Sequence, residues 1–145
     1  MPTRLLDWTE SQYIAAFFAF DKHALGRGDG FVAVYALDVT SPVWNTSNGV
    51  EFIKPQPFGN MRLRNQSGVF TLCRILYDTL DEYVEADAVA GSPLFKFILP
   101  ASEARRAMAD LDSMGVNYAQ IFPDAEGVAK LAVFRTALKY GITFD

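Results

Sequence analysis

The chain of 145 residues has a single cysteine, Cys73, and a single histidine, His23. One cysteine excludes an internal disulfide and suits a reducing compartment. Zinc sites usually draw three or more ligands from Cys and His, and two are on offer, so no metal is expected. A carboxylate site for magnesium or calcium stays open, although no D-x-D-x-D-G loop is present. His23 and Cys73 share no triad-like context, and Cys73 reads as a partly buried, inert thiol. Positive charge is also short. Thirteen Lys and Arg against seventeen Asp and Glu leave a net charge of −4, which argues against non-specific nucleic-acid binding. Long apolar runs are missing too. The longest, Tyr13 to Phe20, has eight residues, against the roughly twenty of a membrane span. Met1-Pro2-Thr3-Arg4 begins no signal peptide. The expectation is a soluble, cytoplasmic protein with no membrane partner.

Apolar and aromatic residues are plentiful. Half the residues are hydrophobic, with twelve Phe, six Tyr and two Trp, and a chain this apolar and modestly charged folds. The length fits one domain over residues 1–145. Thr9-Glu10-Ser11-Gln12 has the capping-box spacing and starts a helix to about Phe20 that is apolar nearly all round, hence covered on more than one side. A loop from Asp21 to Gly30 leads to Phe31–Leu37, which reads as a buried strand. Residues 38–48 look like an exposed loop, and Val50–Ile53 like a short strand. Phe58 to Cys73 holds two candidate short strands around Gln66-Ser67-Gly68. Asp78 to Asp87 suggests a helix and Leu94 to Leu99 a strand. Ser102 can cap a helix through Met114, with Ala104, Met108 and Leu111 inward and Gly115 as the stop. Asp124 to Tyr140 is a helix carrying Val128, Leu131, Ala132 and Leu138 and ending at Gly141. The pattern gives an α+β fold: one compact domain, a small mixed or antiparallel sheet, a buried N-terminal helix and C-terminal helices.

Two stretches hold most of the chemistry-bearing residues. In Arg4-Leu5-Leu6-Asp7-Trp8-Thr9-Glu10-Ser11, an acid, an indole and two hydroxyls meet at a helix start. Unpaired N–H groups there suit phosphate or carboxylate, and Trp8 can stack on a ring. The plainer alternative is that Thr9 caps, Trp8 fills the core and Asp7 pairs with Arg4. In Arg62-Leu63-Arg64-Asn65-Gln66-Ser67-Gly68, two arginines alternate with an apolar residue, so on a strand they share a face able to grip phosphate oxygens. Gln66 donates and accepts, and Gly68 allows a tight turn. The alternative is a solvated face paired with nearby acids. Glu103-Arg105-Arg106 reads as a solvated helix face, Ile121-Phe122-Pro123-Asp124 as a helix entry, and Asp81-Glu82 with Glu85 and Asp87 as an acidic patch.

Taken in order, these stretches resemble the FRG domain family of bacterial and phage proteins. The family's P-T-R-L-L-D-W-T-x-S-P-x-x-A-x-x-F-A is followed from Pro2 to Ala19, with Gln12 in place of the proline. Its R-x-x-x-Q-x-G-x-F is met by Arg62, Gln66, Gly68 and Phe70, and its L-F-P-D-x-x-G by Ile121, Phe122, Pro123, Asp124 and Gly127. The F-R-G and Q-H-x-G motifs that precede these in the family are absent, so the chain resembles the C-terminal part of such a domain. The motif layout is distantly similar to that of ADP-ribosyltransferases, which implies NAD as a cofactor. On that resemblance Gln66 and Asp7 form the catalytic pair: Gln66 orients the nucleophile or ribose and Asp7 fixes the turn. Arg4, Trp8, Thr9, Ser11, Arg62 and Arg64 hold the dinucleotide. The alternative is a non-catalytic protein-binding module, an inhibitor or decoy in phage–host conflict, with a host or defence-system protein or a second copy as partner.

Overall fold

The computed structural model describes residues 5–26, 28–42, 44, 50–56, 58–73, 79–86 and 93–143. It is an α+β fold with two small antiparallel sheets in place of one. Strand β1 (Leu5–Thr9) runs into helix α1 (Gln12–Phe20). A 3-10 turn, Asp21–His23, precedes β2 (Phe31–Leu37) and β3 (Val50–Ile53). Helix α2 (Met61–Asn65), β4 (Gly68–Cys73), α3 (Leu80–Ala86) and β5 (Leu94–Pro100) follow. The chain closes with α4 (Ala104–Ser113), α5 (Tyr118–Ile121) and α6 (Ala125–Tyr140). One sheet has the order β1-β4-β3, and β2 pairs β5 in a separate two-stranded ribbon.

The fold rests on two apolar clusters. In the first, Ile14, Phe17 and Phe20 of α1 pack with Met108 and Leu111 of α4, Tyr118 and Ile121 of α5, and Phe134 of α6. The Phe17 ring meets Tyr118 edge-on, 5.1 Å between centroids. The second lies on one face of the three-stranded sheet, where Trp44 stacks on Tyr83 at 5.7 Å beside Val50 and Leu80. The ribbon joins the two. Val32 and the opposite Leu99 belong to the first cluster, and Leu37 and the opposite Leu94 to the second. Positions 32 and 37 lie on opposite faces of β2, because successive side chains alternate.

Several sequence expectations need correction. Ser11, rather than Thr9, caps α1, accepting from the Ile14 N–H at 3.4 Å. Tyr13 and Phe18 are exposed, so α1 is not covered all round, although Ala16 and Ala19 pack against the same core as Ile14, Phe17 and Phe20. The segment read as two strands is α2 plus β4. Asn60 caps α2 by accepting from Leu63 N–H at 3.0 Å, a local bond that favours helix over strand. The left-handed turn residue is Ser67, at φ 47°, and not Gly68. Ser102 lies in a 3-10 turn, Ala101–Glu103, ahead of α4 instead of capping it. On α6 the buried residues are Gly127, Phe134 and Ala137, whereas Val128 and Ala132 face outward. Strand β2 is mostly exposed, since a two-stranded ribbon has nothing layered on most of its surface. The helix expected over 78–87 and the strand expected over 94–99 form as α3 and β5.

Candidate functional site

The three motif stretches meet in one junction, built from the turns around β1 and β4. Antiparallel pairing sets Thr9 opposite Gly68 and Asp7 opposite Phe70. The Thr9 hydroxyl donates to the Gln66 carbonyl at 2.8 Å and accepts from the Ser11 N–H at 3.1 Å. The Glu10 N–H donates to the Ser67 carbonyl at 3.1 Å. One hydroxyl therefore ties the strand-to-helix turn of the first motif to the helix-to-strand turn of the second.

The second motif is in turn fixed to the third. The Gln66 amide donates to the Ile121 carbonyl at 3.3 Å, and the Asn65 amide to the Gln120 carbonyl at 2.7 Å. The Arg62 guanidinium lies over the Phe122 ring, 4.8 Å from its centroid, and 3.7 Å from the Asp124 carboxylate. Asp124 caps α6 by accepting from the Gly127 N–H at 2.9 Å. Position 127 admits no side chain, because a Cβ there would run into the Phe122 carbonyl oxygen. Phe122 also packs against Phe17 and Phe18 of α1.

Trp8 points to the other sheet face. Its indole N–H donates to the Thr71 hydroxyl at 2.9 Å, and Thr71 is buried. Asp7 sits on the open face with Phe70 and Ile53 and is exposed. Of the residues expected to hold or transform a ligand, Thr9, Ser11, Gln66 and Arg62 are thus brought together, while Trp8 and Asp7 lie on opposite sides of β1. Arg62 and Arg64 do not share a face as they would on a strand. Two residues apart on a helix, they diverge by roughly 200°. Arg64 is exposed and makes no ion pair among the described residues. Arg4, with its expected pairing to Asp7, lies outside the described residues. Sequence reasoning missed Thr71, which carries no motif, and gave Phe122 and Asp124 a helix entry and a place in the third motif but no role in the site.

Two titratable groups beside this junction have shifted pKa values. The clearest shift lies nearby, at Tyr118, whose hydroxyl donates to Asp21 at 2.6 Å. Burial first, and then the Asp21 carboxylate, push the phenol well above its ordinary range. Burial likewise raises the Cys73 thiol, which keeps it protonated and poorly nucleophilic.

The other conspicuous surface is the ribbon. Phe31 is 73% exposed and Ile98 61%, on one face, and Phe97 54% and Phe95 51%, on the other. Lys96, lying over the Tyr35 ring at 5.3 Å, is the only charged residue of the two strands.

The class defined by this architecture is a small α+β protein whose motif residues interlock across a strand–helix junction. A protein-family model described as the FRG domain matches residues 1–27, the segment that holds β1, its turn and α1. No curated protein and no solved structure matches the chain. Among the described residues, no helix is long and apolar enough to cross a membrane.

Proposed function

We propose that the chain is a non-catalytic protein-binding module that engages its partner through the apolar surface of the β2–β5 ribbon. The observation that carries this reading is the exposure of Phe95 and Phe97 side by side on β5, each more than half open to solvent. Aromatic side chains left in water at that density mark an interaction surface. The dinucleotide reading, with NAD on Arg4, Trp8, Thr9, Ser11, Arg62 and Arg64 beside Gln66 and Asp7, asks at Trp8, Thr9, Ser11 and Gln66 for bonding groups that the chain already uses within itself. The resemblance to FRG domains of bacteria and phages makes a host or defence-system protein in the cytoplasm the partner class, with the module acting as inhibitor or decoy.

The experiment has two arms. Peptides displayed on phage are selected against the folded chain and retested on a Phe95→Asp/Phe97→Asp variant and on Arg62→Ala/Arg64→Ala. Thermal unfolding is followed with and without millimolar NAD. The expected result is apolar peptides that lose binding to the Phe95/Phe97 variant alone, and no shift with NAD. A rise of several degrees with NAD, abolished in the arginine variant, would overturn the reading, since a ligand at ~100 times its Kd adds about 2.7 kcal/mol.

A further inference from the structure

The direction of two hydrogen bonds settles which edge of the ribbon is open. The Asp38 N–H donates to the Pro93 carbonyl at 2.8 Å, and the Ala101 N–H to the Gly30 carbonyl at 3.0 Å. Both continue the β2–β5 register, in which Val32 faces Leu99 and Val34 faces Phe97. In an antiparallel ladder, directly opposed residues that bond to each other alternate with residues whose N–H and C=O point away. Even-numbered residues of β2 therefore bond inward to β5. Phe31, Ala33, Tyr35 and Leu37 turn their backbone groups outward, to an edge that no described strand pairs.

The two edges of the ribbon differ. On β5 the outward set includes Lys96 and Pro100, a charge and a missing N–H, which blunt an edge against pairing. The outward set of β2 has neither, and Phe31–Leu37 contains no charge, no proline and no glycine. An edge of this length without such protection calls for a strand.

We infer that the β2 edge pairs antiparallel with the β2 edge of a second copy of this chain, giving a four-stranded sheet of order β5-β2-β2-β5. A twofold axis at Val34 satisfies every outward group, setting Phe31 against the partner's Leu37 and Ala33 against the partner's Tyr35. Phe31 and Tyr35 each then meet a smaller apolar residue, Val32 meets the partner's Ala36, and Val34 meets its own copy. No like-charged pair arises, although each chain carries a net charge of −4. Pairing through one strand edge per copy buries less than the ~1,200 Å² at which stable interfaces begin, so the affinity expected is no tighter than micromolar. Phe95 and Phe97 stay on the outer strands of that sheet. The dimer is thus separate from the partner surface proposed above, and either can fail without the other.

Sedimentation equilibrium of the full chain tests it, across micromolar to submillimolar concentration. Wild type is expected at about twice the 16.1 kDa of the chain. Ala33→Glu/Tyr35→Glu places carboxylates directly opposite each other across the axis, and Ala33→Lys/Tyr35→Lys does the same with amines. Each double variant, shown folded by circular dichroism, is expected to be monomeric, and an equimolar mixture is expected to form a heterodimer. A monomeric wild type, double variants that remain dimeric, or a mixture that stays monomeric would each overturn the inference.

Discussion

The side-chain amide of Gln66 donates to the backbone carbonyl of Ile121, joining a residue that ends α2 to one that ends α5. The same glutamine receives the Thr9 hydroxyl on its own carbonyl. A residue whose identity suggests a reacting group is here a clamp between two segments of chain.

Removing either half of that clamp should therefore register as lost stability. Gln66→Leu is expected to cost about 1 kcal/mol and Thr9→Val about 1 to 2 kcal/mol, the net worth of the bonds removed plus the donors and acceptors left behind. Urea denaturation checks both. A Gln66→Leu protein as stable as wild type would return Gln66 to the pool of candidate catalytic residues.

Gly127→Ala offers a test by sign. Glycine to alanine inside a helix ordinarily gains up to about 1 kcal/mol. Here the new Cβ would meet the Phe122 carbonyl, which is backbone and cannot step aside without moving the turn that Asp124 caps. The expected outcome is a loss on the order of 3 kcal/mol, seen as a drop in Tm.

Trp8 and Thr71 should behave as a coupled pair. Trp8→Phe leaves the buried Thr71 hydroxyl without its donor, and Thr71→Val leaves the indole N–H without its acceptor. Each single change is expected to cost about 1 to 3 kcal/mol. The double variant should lose less than their sum, because neither polar group then remains to be satisfied. Strict additivity in the double-mutant cycle would contradict this bond.

The Tyr118 phenol gives a pH signature. Its folded-state value is raised above the ordinary ~10, so the folded chain keeps a proton that the unfolded chain gives up. That contribution is complete below about pH 10 and is lost as pH rises through the folded value. Stability should accordingly hold from neutral pH to about pH 10 and fall above it. Tyr118→Phe should flatten the fall while costing about 1 kcal/mol at neutral pH, both read from urea midpoints across that range.

The long C-terminal helix was legible because its signals are local: Asp124 caps it, Gly141 ends it in the left-handed region, and both positions are visible in a linear reading. Helix α2 was not. Its five residues are too few to hold a helix by propensity, and Arg-Leu-Arg reads equally well as strand alternation. What holds α2 is Asn60 at its start and the contacts of Arg62 and Asn65 with residues 55 to 60 positions later. Strand β2 was found but misjudged. A continuous apolar run signals that something should cover it, and periodicity does not say whether the cover belongs to the same chain. For the junction, the motifs named its members, but only the register of β1 with β4 sorts them. It puts Thr9 and Asp7 on one face and Trp8 on the other.

The ribbon's attachment at both ends has a mechanical consequence. Val32 and Leu99 anchor one end and Leu37 and Leu94 the other, on opposite faces of the same pair of strands. It works as a twisted tie-bar: neither half of the molecule can loosen without applying torque to an apolar pair packed against the other. Amides of the ladder should then exchange with solvent only when both halves open, making the whole chain one cooperative unit rather than two.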